Sequence, residues 1–162
     1  SAARRGARKA LGFKSTADAI SAHFRVAWGA VEPDVPVEYV GLPGHFTGAT
    51  GLTATDTEPV VNHVRFSVEE AGGQIVAFGS RLDRHVGSAL LEVFTIDQQG
   101  MGPGRALCDR FNVIFRALTL PAVSLKFWGP GGAVPSVQFV GQQNGWLKWL
   151  CVAPFQRHET VS

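Results

Sequence analysis

Cysteine is nearly missing from this chain. Only Cys108 and Cys151 occur among 162 residues, too few for a metal cluster by themselves and no basis for the disulfide framework of small secreted domains. Both are expected to be free, buried thiols, because an unpaired cysteine behaves as a small hydrophobe. Long apolar runs are missing too. The longest are strand-sized and interrupted, which argues against a transmembrane helix and any membrane role. No apolar stretch follows the basic N-terminus, so no signal peptide is read there, and assembly in a cytoplasm is expected.

The motifs of common chemistries are also lacking. No GK[ST] occurs, which removes the P-loop. The stretch IDQQGMGPGRALCDRFNVIF, residues 96–115, has Gly100 and Gly102 where a dinucleotide loop needs its first two glycines, but the third position is Arg105, too bulky for the helix–strand contact required there. His23, His45, His63, His85 and His158 are scattered without a pair at metal-ligand spacing. Gly87-Ser88-Ala89-Leu90 is not a nucleophile elbow. Glu69 and Glu70 are consecutive on a strand, so they face opposite ways and cannot act as a carboxylate pair. No catalytic, metal-binding or cofactor-binding residue is assigned, and the protein is not expected to be an enzyme.

What remains is an ordinary globular composition, 45% hydrophobic and 17% charged, of a size that sustains one core. Charge is distributed unevenly. Residues 1–14 carry Arg4, Arg5, Arg8, Lys9 and Lys14 and no acid, so with a whole-chain net charge of +2 the remainder is left at −3. Residues 1–14 therefore read as a basic arm and residues 15–162 as a single domain. Such an arm attracts nucleic acid or an acidic neighbour at long range, or is simply a solvated terminus.

Periodicity supplies the elements. Ile20, Phe24, Ala27, Trp28 and Val31 form one apolar stripe and predict a helix over residues 16–30, capped by Ser15 or Thr16 with Asp18 in a capping-box position. A short strand is expected at residues 37–40, then a long Gly/Thr-rich loop, residues 41–58, suited to contact with a neighbour. In residues 60–70, Val64, Phe66 and Val68 alternate with polar residues, predicting a strand with one dry face. Gly72-Gly73 reads as a turn into a strand at residues 74–81. The run at residues 86–96 is apolar on both faces, which predicts a central strand covered on both sides. A second helix follows the glycine-rich loop, with Pro103 in its first turn, an apolar set of Leu107, Phe111, Ile114, Phe115 and Leu118, and its end at Pro121. Residues 122–128 read as a strand and residues 129–132 as a turn. Asn144-Gly145 marks a hairpin between two last strands. Trp146 and Trp149 fall on opposite faces of the final strand, while Trp128 lies near Lys126, and such tryptophans belong in cores or subunit interfaces more often than in base-stacking sites. Two amphipathic helices against a mostly antiparallel sheet make an α+β domain.

The order of these parts resembles the tail terminator, or tail completion, proteins of long-tailed bacteriophages and phage-like particles. STADAISAHFRVAW followed by VPVEYVGLP is similar to the family's first helix and strand, and VVNHVRFSVEE to its second strand. GSALLEVFTIDQQGMGPGRALCDRFNVIFRAL carries the apolar strand, Gly/Pro loop and helix, and GWLKWLCVAPFQR is similar to its closing strand. The likeness spans about residues 15–158 and rests on the ordered set. It implies a virion structural protein of the tail or neck, with copies of this chain forming a ring, six-membered in the family, on the head-proximal end of the tail tube. The ring ends tube growth and joins the tail to the head connector or stopper protein. Contacts with neighbouring subunits or the tube are then expected at His45, Phe46, Thr47, Arg81, Arg84, Arg105 and Arg110. The arm, with Arg4, Arg5, Arg8, Lys9 and Lys14, has no counterpart in the pattern and is expected to meet a partner or, in passing, DNA. Another head–tail joining protein, or a small DNA-binding domain that uses the arm, is the alternative.

Overall fold

The structure, a computed structural model, describes residues 12–40, 46–47, 61–77, 81–127 and 134–161. Most of the basic arm, most of the 41–58 loop including His45, and the 129–132 turn lie outside the described residues. Helix α1 spans Phe13–Val31 and α2 spans Gly102–Phe115. The strands are β1 Val37–Tyr39, β2 Phe46–Thr47, β3 His63–Ala77, β4 Arg81–Ile96, β5 Thr119–Leu120, β6 Leu125–Lys126, β7 Ser136–Gln143 and β8 Trp146–Val161. They form one sheet in the order β2-β1-β3-β4-β8-β6-β5, with β7 also paired to β8. Only β1 and β3 run parallel; every other pairing is antiparallel. The domain is α+β, with both helices on one face of the sheet.

That face holds the core. From α1, Ile20, Phe24 and Trp28 are buried, as their helical spacing predicts; from α2, Leu107, Cys108, Phe111 and Phe115. They meet Val64 and Phe66 of β3, Ala89, Leu91 and Val93 of β4, and Trp149, Cys151, Ala153 and Phe155 of β8. Phe24 stacks on Phe66 with ring centroids 4.2 Å apart. Phe115 then passes the aromatic contact on to Phe127 at 4.7 Å, and Phe127 to Phe155 at 5.5 Å. Rings in contact in this way fill the space between helices and sheet, as a close-packed core requires.

The glycine-rich loop turns out to serve packing. Gly100 has φ +77°, a left-handed geometry that closes the turn Asp97–Gln99 and costs glycine little. Gly104 sits in the first turn of α2, where a Cβ would overlap the six-membered ring of Trp149. Glycine at that position therefore lets the helix lie directly on β8.

Several expectations are corrected. The first helix begins at Phe13 with Gly12 as its N-cap, and no side chain caps it. Ser15 and Thr16 lie inside the helix: the Thr16 hydroxyl donates to the Gly12 carbonyl at 3.1 Å, and Asp18 pairs with Lys14 at 2.8 Å. Gly72-Gly73 is not a turn. These residues pair with Val86 and His85 inside the continuous β3, and the irregularity they mark is a register shift between Glu70 and Gly72. β4 is central but is covered by helices on one side only; Leu90, Glu92 and Phe94 on its other face are partly exposed. α2 stops at Phe115, because Arg116 is extended and Ala117 has φ +54°. Leu118 packs against the core from beyond the helix. Residues 122–128 do not form one strand: a 3-10 turn, Pro121–Val123, and a left-handed Ser124 precede the two-residue β6. β2 falls within the expected 41–58 loop and pairs with β1, Phe46 opposite Glu38 and Thr47 opposite Val37.

The buried thiols give a first prediction. Cys108 and Cys151 are both free and buried. The hydrogen bond that the Cys151 thiol makes to Cys108, then burial, push the Cys151 thiol far above its usual range. Since only the thiolate is nucleophilic, Cys151 is expected to resist iodoacetamide at pH 8 in the folded protein and to react once urea unfolds it. Rapid labelling of the native protein, mapped by mass spectrometry, would refute this placement.

Candidate assembly surface

The Asn144-Gly145 turn builds the most unusual part of the surface. Both residues have positive φ, +53° and +83°, as a two-residue hairpin turn matched to strand twist requires. The turn folds β7 back onto β8, so that Phe139 pairs with Trp149 and Val137 with Cys151. β7 pairs with β8 and with no other described strand. Its outer row of backbone N–H and C=O groups therefore lies along a sheet edge.

Free edges invite pairing with other chains, and proteins usually blunt them with lysine, proline or inward charges. β7 has none of these. Between Lys126 and Lys148 the sequence holds no charged residue at all. Phe139 is 45% exposed, Val137 43%, Val140 52% and the preceding Val134 67%. The one irregularity is a register shift between Phe139 and Gly141, which leaves Val140 without a partner on β8. Fully burying side chains of this size is worth up to roughly 1.5–3 kcal/mol each, so covering this edge would be strongly favourable.

The sheet face turned away from the helices carries a second group. His63 stacks on Phe94 at 4.8 Å and meets Trp146 edge-on at 5.0 Å. Arg65 and Lys148 lie over the Phe94 ring at 5.6 and 5.3 Å. Both cations are matched by acids: Arg65 donates to Glu38 at 2.6 Å, and Lys148 lies 3.2 Å from Glu92. Beside this group, Phe94, Val140, Trp146, Lys148 and the hairpin tip enclose a groove of about 320 Å³. The balanced charges suit a neutral partner better than a polyanion. Burial lowers the pKa of His63, Arg65 adds to the effect, and the Val61 carbonyl and Glu38 oppose it. The folded state thus binds the proton less tightly than the unfolded chain, whose histidine titrates near about 6.5. The contribution of His63 to stability is whole above that pH and shrinks as the pH falls towards the lowered folded value. His63→Gln is expected to flatten the loss of stability between about pH 7 and pH 5, followed by urea unfolding; an unchanged slope would refute it.

A third cluster lies on the helix-side face near the end of β8. The Arg157 side chain is only 3% exposed and forks onto Glu70, Nε to Oε2 at 2.9 Å and the terminal nitrogen to Oε1 at 3.0 Å. Its other terminal nitrogen lies 3.2 Å from Glu159. His85 bridges the same two carboxylates at 3.3 and 3.5 Å. Burial alone would lower the Arg157 pKa, but Glu70 and Glu159 outweigh it and the net shift is upward. The period of two along β8 puts Arg157 on the face of Trp149 and Phe155, which is the sequence signal for its burial.

The residues singled out from sequence do not converge on one site. Arg84 is partly buried near the start of β4, where it and Lys126 depress the pKa of His158 after burial has done so. Arg105 is exposed in the first turn of α2, past the other end of β4. Arg110 reaches Glu32 at 3.4 Å and so ties α2 to the end of α1. Lys14 is engaged with Asp18. Phe46 and Thr47 lie on β2 opposite Glu38 and Val37, and Arg81 opens β4 opposite Val161. Arg4, Arg5, Arg8, Lys9 and His45 lie outside the described residues. What sequence reading missed is β7 as an exposed edge, although its uncharged stretch was there to be counted.

Among the described residues, no group of three or more His, Cys, Asp or Glu is placed to hold a metal ion, and no helix is long and apolar enough to cross a membrane. No family model matches the chain, and no curated protein matches it. A solved structure of another protein, known only by a sequence identifier, is similar to 86% of this chain and 94% of its own, with a TM-score of 0.55 and 16% identity. At that identity the likeness speaks for the fold alone.

Proposed function

We propose that this protein is a tail-terminator-type structural protein of a long-tailed phage or phage-like particle. Copies close into a ring, six-membered as in the family it resembles, on the head-proximal end of the tail tube. The ring ends tube polymerisation and presents a surface to the head connector or stopper protein. The observation that carries this reading is β7, an apolar edge strand with no charge to protect it, which is a poor design for a permanently free monomer and a good one for a subunit. The α+β fold, with two helices on one face of a mostly antiparallel sheet, supports the same reading. No catalytic step and no cofactor is part of it.

The test is the solution mass over a wide concentration range, with electron microscopy of the same sample. A closed ring with a central hole is expected. A stable monomer would count against it and turn attention to the basic arm. In that case DNA binding should weaken steeply with salt and vanish when residues 1–14 are deleted.

A further inference from the structure

We infer that Cys108 and Cys151 form a latent clasp: a small peroxide joins them in a disulfide that fastens α2 to β8, and a reducing medium keeps them apart. The chemistry stands independently of the ring reading, because both cysteines belong to the core of one subunit.

The geometry comes from the seat of α2 on β8. Gly104 lies against Trp149, where a Cβ would overlap the ring. From that contact α2 climbs four residues to Cys108, about 6 Å along its axis. β8 advances two residues to Cys151, about 7 Å. One helical turn and one strand period return to the same faces, so the second pair falls beside the first. Cys108 is 2% exposed and Cys151 0%, and the two thiols are hydrogen-bonded to each other. A disulfide asks for Cα atoms within about 7 Å of each other, and glycine at position 104 removes the side chain that would hold the helix off the strand.

The step balances with one peroxide. Cys108, the less enclosed of the two, attacks a peroxide oxygen; the O–O bond breaks, and the leaving hydroxide takes the Cys108 proton and departs as water. Cys108 is then a sulfenic acid, the first rung of thiol oxidation, which condenses with a thiol beside it. The sulfur of Cys151 attacks that of Cys108, the S–O bond breaks, and the Cys151 proton leaves with the oxygen as a second water. Two thiols and one hydrogen peroxide give one disulfide and two waters, the two sulfurs supplying the two electrons. Peroxide is little larger than water, so brief local opening at the helix–strand contact is enough to admit it.

Cytoplasm keeps thiols reduced, whereas disulfides persist outside cells and on virion surfaces. A subunit assembled inside a cell and later released, as proposed above, crosses that boundary once, and the crossing closes the clasp. The bridge encloses a loop of 42 intervening residues that holds the end of α2 and all of β5, β6 and β7. Closing a long loop restricts the unfolded chain most, so the clasp secures the α2–β8 contact and the strands that depend on it.

The experiment treats the full chain, purified under reduction, with hydrogen peroxide. Urea and iodoacetamide then label any thiol that remains, and mass spectrometry reads the products. A linked Cys108–Cys151 peptide is expected, with neither cysteine alkylated. The linked form should melt roughly 5–15 °C above the reduced one, and dithiothreitol should abolish the rise. Cys151→Ala should show no such rise, Cys108 passing instead to higher acids of sulfur. Met101, the one methionine, reports by its sulfoxide that the peroxide acted. Cysteines that are both still alkylated after Met101 has been oxidised would overturn the inference. So would a sulfinic acid at Cys108 of the parent chain, a bridge between two chains, or a linked form that melts no higher than the reduced one.

Discussion

Phe111→Ala should lower the stability of the folded monomer by about 3–5 kcal/mol, the range for emptying a phenylalanine site in a core. Phe111 is fully buried, and its ring centroid lies 4.9 Å from that of Phe115. Through Phe115 it joins the series of rings that binds α1, α2 and the sheet. Those neighbours are held by secondary structure on three sides, so the space left by the ring cannot readily collapse, and the cost should fall towards the upper end. For a chain of this length that is a fall in melting temperature of roughly 6–20 °C. Urea unfolding and calorimetry would both report it. A change well under about 1 kcal/mol would mean that helix α2 is not seated on the sheet as described.

The second large effect belongs to the Arg157 cluster. Glu70→Ala removes the carboxylate that takes two of the guanidinium's hydrogen bonds and leaves a cation that is 3% exposed with Glu159 still 3.2 Å away. Breaking a buried pair from one side costs roughly 3–5 kcal/mol, whereas replacing both partners by apolar residues of similar volume is often close to neutral. Glu70→Ala is therefore expected to be strongly destabilising, and Glu70→Leu combined with Arg157→Met much less so. A double-mutant cycle measured by urea unfolding checks this. If Glu70→Ala proved as mild as an ordinary surface substitution, the Arg157 charge would be held without need of Glu70.

Much of the fold could be read from periodicity, because periodicity reports which face of an element is dry. The spacing of Ile20, Phe24 and Trp28 identified the buried stripe of α1, and Asn144-Gly145 identified the hairpin, since few residues other than these tolerate positive φ at both turn positions. Gly72-Gly73 misled for a related reason. Paired glycines permit a turn, but they also permit a register shift inside a long strand, and only the partner strand decides between the two. The run from Leu90 to Ile96 looked covered on both sides because Leu90 and Phe94 are apolar, yet a strand's pattern does not say whether a second layer exists to bury them. The same limit hid the candidate assembly surface. SVQFVGQQ announces a strand; that the strand is an edge depends on the absence of another strand beside it. Charged side chains drew attention to Arg84, Arg105 and Arg110, and the structure spreads these over separate elements, Arg110 being committed to Glu32.

The register of β8 has a consequence in time. β8 pairs along its whole length with β4, Ile96 opposite Trp146 and Arg81 opposite Val161, so its docking must wait for distant parts of the chain to meet. Pairings of this kind slow folding, because the entropy of closing a long loop is lost before the contacts form. The β3–β4 hairpin is local and can form early. β7 meets β8 locally across the Asn144-Gly145 turn, but an isolated two-stranded hairpin is marginally stable in water, so β7 becomes a lasting edge only when β8 has docked on β4. A nascent or half-folded chain thus has no finished β7 edge, and in the proposed ring the folding of each subunit would set the moment at which it can join its neighbours.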